Sequence, residues 1–247
     1  MTGKGKCIVI TGAGGGLGRA LARRFGADGN TIILLGRRRA ALDAVAAQLG
    51  SHAEVVACDV ANADSVRSAF ATIAESHATV EVLINNAAVY QPFFLRDASD
   101  AQITAAVETN FSGPVYCSRA VIPMMGKGGH IINISSETVG LPHAMFSLYQ
   151  SSKAGLERLT EALQAELEPD GIRVTLVRAG QMMDADSKSP ASGELARRFV
   201  EENLKRGLDL RTRPISSFSS VADVLHLLIA LPDDVHVPRI FLEAWRR

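Results

Sequence analysis

Short apolar runs rich in β-branched residues recur along the chain, separated by longer amphipathic stretches. The runs predict strands at Cys7–Thr11, Thr31–Gly36, Glu54–Cys58, Val80–Asn85, His130–Ser135, Arg173–Arg178 and Arg239–Glu243. Several are apolar at successive positions rather than alternate ones, the pattern of parallel strands covered on both faces. The stretches between them predict helices near 16–28, 39–49, 62–77, 99–125, 149–168, 192–206 and 219–230. Asn62-Ala63-Asp64-Ser65 and Ser99-Asp100 read as helix starts, and Pro169-Asp170-Gly171 reads as a helix stop. Seven strand–helix units without internal repetition favour a single α/β domain over residues 1–247. Its expected form is a doubly wound parallel sheet of about seven strands with helices on both faces, in preference to an eight-stranded barrel. Residues 181–218 carry Ser, Pro, Gly, many charges and one helix but no strand. They read as a substrate lid, with plain surface decoration as the alternative.

Composition narrows the partners. The chain has 26 Lys and Arg against 26 Asp and Glu, a net charge of zero, which argues against a polyanion such as nucleic acid as partner. With 47% hydrophobic and 21% charged residues it has the makeup of a folded globule rather than a disordered chain. No apolar stretch approaches the ~20 residues needed to span a bilayer, and Met1–Lys6 lacks a signal-peptide pattern, so a cytoplasmic protein is expected. Cys7, Cys58 and Cys117 and the six histidines lack ligand spacing, so no metal site is expected.

The first strand runs into Thr11-Gly12-Ala13-Gly14-Gly15-Gly16-Leu17-Gly18-Arg19. A glycine-rich turn between strand and helix lets backbone amides approach a pyrophosphate, which the helix N-terminus then holds. No Lys-Ser/Thr follows, so the turn is not that of a nucleoside triphosphatase. Gly12, Gly14, Gly15, Gly16, Leu17 and Gly18 are therefore candidate cofactor contacts. At the end of the second strand a site for NAD would carry a carboxylate for the ribose hydroxyls. Here Gly36 is followed by Arg37 and Arg38, whose guanidinium groups suit a 2′-phosphate. NADP is the favoured cofactor, with NAD as the alternative. Of the three tyrosines, only Tyr149 has a lysine one helical turn later, Lys153. A free phenol has a pKa near ~10, and a neighbouring ammonium lowers it toward the range useful for proton exchange.

Taken with Asn133-Ile134-Ser135-Ser136 ahead of Tyr149, Asn85-Asn86-Ala87-Ala88 after the fourth strand, and Asn110 in the following helix, these motifs resemble the short-chain dehydrogenase/reductase family over nearly the whole chain. The resemblance implies a Rossmann-like fold and hydride transfer between a nicotinamide cofactor and a carbonyl or alcohol. It implies Tyr149 as acid/base, Lys153 as the group that lowers its pKa and binds the nicotinamide ribose, and Ser136 as the donor to the substrate oxygen. Asn110 would hold a water linking Lys153 to solvent. Asp59 and Val60 would contact the adenine, and Asn86 with Ala87 would line the cofactor, while Asn85 is expected to be structural. Family members commonly pair the helices near 99–125 and 149–168 between subunits, so a homodimer or homotetramer is expected.

The chain departs from the family after the sixth strand. It reads Arg178-Ala179-Gly180-Gln181-Met182-Met183-Asp184, with alanine in place of proline and Asp184 where the family has threonine. This leaves open a protein that binds NADP as a regulator without catalysis; an epimerase would need a longer chain. Arg178 is expected to form an ion pair, with an anionic substrate as the alternative. Residues 137–150 offer Glu137, Val139, Leu141, His143, Met145, Phe146 and Gln150 as pocket residues. His143 and Phe146 are the named substrate contacts, and Met182 and Met183 extend an apolar wall. The short C-terminal segment His236–Ile240 resembles NADP-dependent reductases of small hydroxy acids. A hydrophobic ketone is favoured, with 3-oxoacyl, sugar and steroid substrates open.

Overall fold

A computed structural model describes residues 5–184 and 192–246. Seven parallel strands form one sheet in the order β3-β2-β1-β4-β5-β6-β7. They are β1 (Cys7–Thr11), β2 (Thr31–Gly36), β3 (Ala53–Ala57), β4 (Val82–Asn85), β5 (His130–Ser136), β6 (Arg173–Ala179) and β7 (Arg239–Leu242). Chain order reverses direction between β1 and β4, so the loops leaving these two strands diverge and open a crevice at their carboxyl ends. The helices are α1 (Gly16–Gly26), α2 (Arg39–Leu49), α3 (Ala63–Ser76), α4 (Asp100–Val107), α5 (Gly113–Val121), α6 (Ser147–Leu167), α7 (Gly193–Leu204) and α8 (Phe218–Ile229).

The continuous apolar strands have the burial their pattern requires. Ile8, Ile10, Ile32 and Leu34 face one core with Leu21 and Phe25 of α1 and Leu225 of α8. Val9, Ile33, Leu35 and Leu83 face the other, against Phe70 and Ile73 of α3 and Val121 of α5. Each such side chain contributes ~1.5–3 kcal/mol on burial, which makes the sheet a rigid platform for the loops above it. The expected helix starts are real caps: Asn62 accepts from the Ser65 amide, and Ser99 forms a reciprocal capping box with Gln102.

One helix expectation is corrected. The run near 99–125 is not continuous: α4 and α5 are separated by a π-helical turn at Glu108–Ser112, and a short 3₁₀ turn follows at Ile122–Met124. The wider turn carries Asn110, which is wholly buried. Its amide donates to the Val89 carbonyl and accepts from the Val89 amide, both at 2.8 Å. Those two bonds require a helix surface displaced toward the loop after β4, a demand that uniform α winding does not meet. In the expected lid, α7 confirms the predicted helix; residues 185–191 lie outside the described residues.

Candidate active site

A cavity of about 900 Å³ runs across the carboxyl ends of the strands. At one end its wall is the turn after β1, including Gly12, Gly14, Gly15, Gly16 and Leu17. Gly12 has φ +68°, and a Cβ there would lie 2.9 Å from the Ala87 Cα. Gly18 does not line the cavity; a Cβ on it would lie 2.4 Å from the Gly12 carbonyl oxygen. Its role is close packing that lets α1 start directly under the turn. Asn86 fixes the same turn from β4, its side chain donating to the Thr11 carbonyl at 2.9 Å. Thr11 Oγ1 accepts from the Asn86 and Ala87 amides at 2.9 and 3.0 Å. The cradle is therefore backbone, shaped by missing side chains, and it fits a pyrophosphate at a helix N-terminus.

Arg37 and Arg38 follow β2 and line the cavity, as do Asp59, Val60, Asn86 and Ala87. Arg37 and Arg38 are exposed and have no ion-pair partner among the described residues, whereas Arg39 is tied to Asp43 at 3.0 Å. The Asp59 carboxylate is partly used at home, accepting from the Ala61 amide at 3.1 Å. Asn85 is structural as expected, donating to Asn133 at 2.8 Å and Ser118 at 3.2 Å between β4 and β5.

Ser136, Tyr149 and Lys153 meet on the cavity wall where β5 ends and α6 begins. Ser136 Oγ accepts from the Thr138 amide at 3.3 Å and from the Thr138 hydroxyl at 3.1 Å. With both acceptances taken, its own proton is left to donate. Ser135 is turned away, donating to Glu157 at 2.7 Å. Burial pushes the Tyr149 phenol up to about 12, against a smaller opposing contribution from its hydrogen bond with Ser136. Burial also brings the Lys153 ammonium down to about 8. Its Nζ donates to the Ile134 carbonyl at 2.7 Å. Desolvation is thus the largest influence on the phenol in the free protein, and the ammonium is directed at β5. Asn110 lies behind the wall rather than on it, and its amide also donates to Ser152 Oγ at 3.2 Å. The side chain clamps the β4 loop to α6.

Residues 137–150 contribute less of the wall than expected. Glu137, Thr138, His143 and Phe146 line the cavity, while Val139, Leu141, Met145 and Gln150 do not. Gln150 donates at 2.6 Å to the carbonyls of Thr138 and Leu141, holding the loop closed behind them. Met145 is buried at φ +63°, a conformation a non-glycine residue rarely adopts, and the Phe93 amide donates to its carbonyl at 2.9 Å. Met182 and Met183 after β6 line the cavity as expected, and further wall comes from Tyr90 after β4 and from Phe199 and Val200 on α7. Asn203, fully buried on α7, accepts from the Ala144 amide at 3.0 Å and so ties that helix to the loop leading into Tyr149.

The departures after β6 have structural partners. Arg178 pairs with Glu157 and lies over the Phe241 ring at 4.4 Å, which bears out the ion-pair reading. The Asp184 carboxylate accepts from the Phe218 amide at 3.2 Å, at the start of α8. Without proline, the turn is held by its amides: Gly180 donates to the Leu242 carbonyl at 2.7 Å and Gln181 to Glu137 at 3.1 Å.

Known proteins resemble this chain in sequence and fold. The pattern described as short chain dehydrogenase matches residues 6–193. The D-xylose 1-dehydrogenase of Caulobacter vibrioides is 37% identical over 184 residues, covering 72% of this chain and 73% of that enzyme. Carbonyl reductase family member 4 of Danio rerio is 30% identical over 234 residues, 94% of this chain and 93% of the relative. Among solved structures, a metagenomic short-chain oxidoreductase in complex with NADP aligns over 100% of both chains, with 27% identity and a TM-score of 0.79. The sheet order, the glycine cradle and the extent of these matches show that the chain belongs to the short-chain dehydrogenase family of nicotinamide-dependent oxidoreductases.

Proposed function

We propose that the protein is an NADP-dependent reductase that interconverts a ketone or aldehyde and the corresponding alcohol. The observation that carries this reading is the convergence of the Ser136 and Tyr149 hydroxyls on one cavity wall, with Lys153 buried beside them. The cofactor, when bound, supplies the hydride. The residues supply position and the proton. Tyr149, with its phenol protonated at neutral pH, donates its proton to the carbonyl oxygen, and Ser136 donates a hydrogen bond to the same atom. Lys153 holds the ribose and, through its charge, assists the phenol once both face the same ligand. Asn110 keeps α6 and the β4 loop in register. Unpaired Arg37 and Arg38 favour NADP over NAD, since a 2′-phosphate adds two charge-assisted contacts that a ribose hydroxyl does not.

The named activities of the relatives differ, a sugar dehydrogenase and a carbonyl reductase, so they support the chemistry and leave the substrate open. The expected homodimer or homotetramer belongs to the same proposal. The solvent side of α6 presents exposed Ala154, Ala162 and Ala165, a surface of small side chains that admits close helix approach. The rival reading, an NADP-binding regulator, draws on Asp184, whose carboxylate is directed to α8. Tyr149→Phe decides between them. Carbonyl-dependent NADPH oxidation is expected to fall by roughly 1,000-fold while NADPH affinity, read by fluorescence titration, stays within about threefold. Undiminished turnover in that variant sinks the assignment of Tyr149. Absence of turnover in the parent across aldehydes, ketones and quinones favours the regulator.

A further inference from the structure

Beyond Ser136 and Tyr149 the cavity wall carries a cluster of rings. Phe146 stands 5.3 Å from Tyr149 and 4.7 Å from Phe199, measured between ring centroids. His143 stacks on Phe199 at 6.3 Å with the planes 8° apart. On the opposite lip Tyr90 lies 6.3 Å from Tyr149. These rings come from three separate segments, the β4 loop, the loop before α6, and α7 itself, and all of them line the one cavity.

Beyond Lys153, the described residues of the same end offer a ligand little unmatched charge. Arg211 on this wall is paired with Asp209 at 3.1 Å, and Glu137 on it is paired from behind by Arg213 at 2.6 Å. A carboxylate, sulfonate or phosphate entering here would meet cations already matched, and Glu137 among them. Several polar groups on and behind the wall are likewise committed. Thr138 donates to Ser136, Gln150 to two loop carbonyls, and Asn203 to the Phe199 carbonyl at 2.7 Å. Both ring nitrogens of His143 are sealed from solvent, with no hydrogen bond of normal geometry. Burial, then the nearby Arg213 charge, brings this imidazole down to about 4, against a smaller contribution from the Asn203 amide. It is neutral at pH 7 and adds a ring rather than a charge to the wall.

We infer that the substrate is an uncharged carbonyl compound bearing an aromatic or alicyclic ring, which packs against Phe146, Phe199 and Tyr90 while its carbonyl oxygen reaches Ser136 and Tyr149. The inference rests on the carbonyl-reduction reading above and narrows it. Rings pack on rings by offset or edge contact without needing polar partners, which is what this wall provides.

The test is NADPH oxidation by the intact protein with acetophenone, 4-acetylbenzoate, an aldose and acetone. For acetophenone kcat/KM is expected to exceed that for the carboxylate and the aldose by roughly 100-fold, the size of discrimination a shaped pocket delivers. Phe199→Ala should lower kcat/KM for acetophenone about 10-fold, mainly through KM, and change that for acetone by less than about twofold. Phe199→Leu, which keeps the apolar volume, should recover most of the loss. Calorimetric binding of 1-phenylethanol to the NADP-loaded protein should weaken in Phe199→Ala in parallel. Preference for the carboxylate or the aldose overturns the inference and leaves carbonyl reduction standing, as does an equal loss for acetophenone and acetone in Phe199→Ala. If no carbonyl turns over but 1-phenylethanol still binds in a Phe199-dependent way, the reductase reading fails and the ring site stands. No turnover and no binding overturns both.

Discussion

At the phosphate end of the cavity the wall is backbone, and at the far end it is side chain. Around Gly12 and Gly16 the surface is shaped by positive φ and by absent Cβ atoms, and Thr11 and Asn86 lock it with short bonds between adjacent strands. Around Phe146 and Phe199 the surface is a set of rings held at 4.7–6.3 Å by packing, with Asn203 as the polar tie to α7. Backbone geometry tolerates almost no substitution but serves any ligand with a pyrophosphate. Ring packing tolerates exchange and sets which ligand fits. One end is thus suited to a shared cofactor, and the other to a particular substrate.

The largest blow to this contrast should come from Gly18→Val. Its Cβ would have to displace the Gly12 carbonyl, a backbone atom that cannot rotate away. A loss of cofactor affinity of roughly 100-fold or more is expected for both NADPH and NADH, in keeping with the cost of an ångström-scale misplacement. Fluorescence titration checks it, and retained affinity would show that the cradle is softer than its geometry implies. Arg37→Glu sharpens the contrast within the cofactor end. NADPH binding should weaken roughly 10- to 50-fold while NADH binding changes by less than about threefold, since only the 2′-phosphate meets the reversed charge. Equal losses for the two cofactors would move the phosphate contact to another residue.

The smallest effect lies at the junction of the two ends, in the titration of Lys153. Burial brings this lysine down to about 8 in the folded protein, whereas an unfolded chain holds its proton to ~10.4. Between those values the unfolded state binds the extra proton, so the folded state gains stability as pH rises, by at most about 1 kcal/mol per pH unit. Tyr149 acts in the opposite sense at higher pH: it keeps its proton to about 12 when folded, while an unfolded phenol releases it near ~10. Urea midpoints of the parent protein and Lys153→Met between pH 7.5 and 9.5 isolate the first effect. Their difference should shift in favour of the parent as pH rises, and a constant difference would mean that the ammonium is better solvated than its burial implies.

The same division governs what the sequence made legible. The strands, the glycine turn and the Tyr149–Lys153 pair depend on neighbours within one element or one turn, so their spacing carried them. The pairing of Arg178 was equally readable, because a charge inside an otherwise apolar strand needs a partner. Phe199 and Asn203 were not. The Ala144–Asn203 bond joins residues 59 apart in sequence, and nothing local to either predicts that α7 docks on the loop before α6. Val139 and Met145 were misplaced for a related reason: in an irregular loop no period tells which side chain faces inward, and the φ of +63° at Met145 reverses the chain's course just before Tyr149. The burial of Tyr149, the largest influence on its phenol, is set by packing that sequence spacing does not contain.

The π turn at Glu108–Ser112 has a consequence for changes in chain length. A single deletion inside the turn would restore even α winding, leaving α4 and α5 in nearly the same rotational register but removing the bulge that carries Asn110 toward the loop after β4. Asn110 would leave Val89, and the Tyr90 lip would lose its anchor to α6. A sequence drifting by insertion and deletion is therefore constrained at this turn more tightly than at the exposed ends of the same helices, even though no residue within it touches the cavity except Thr109.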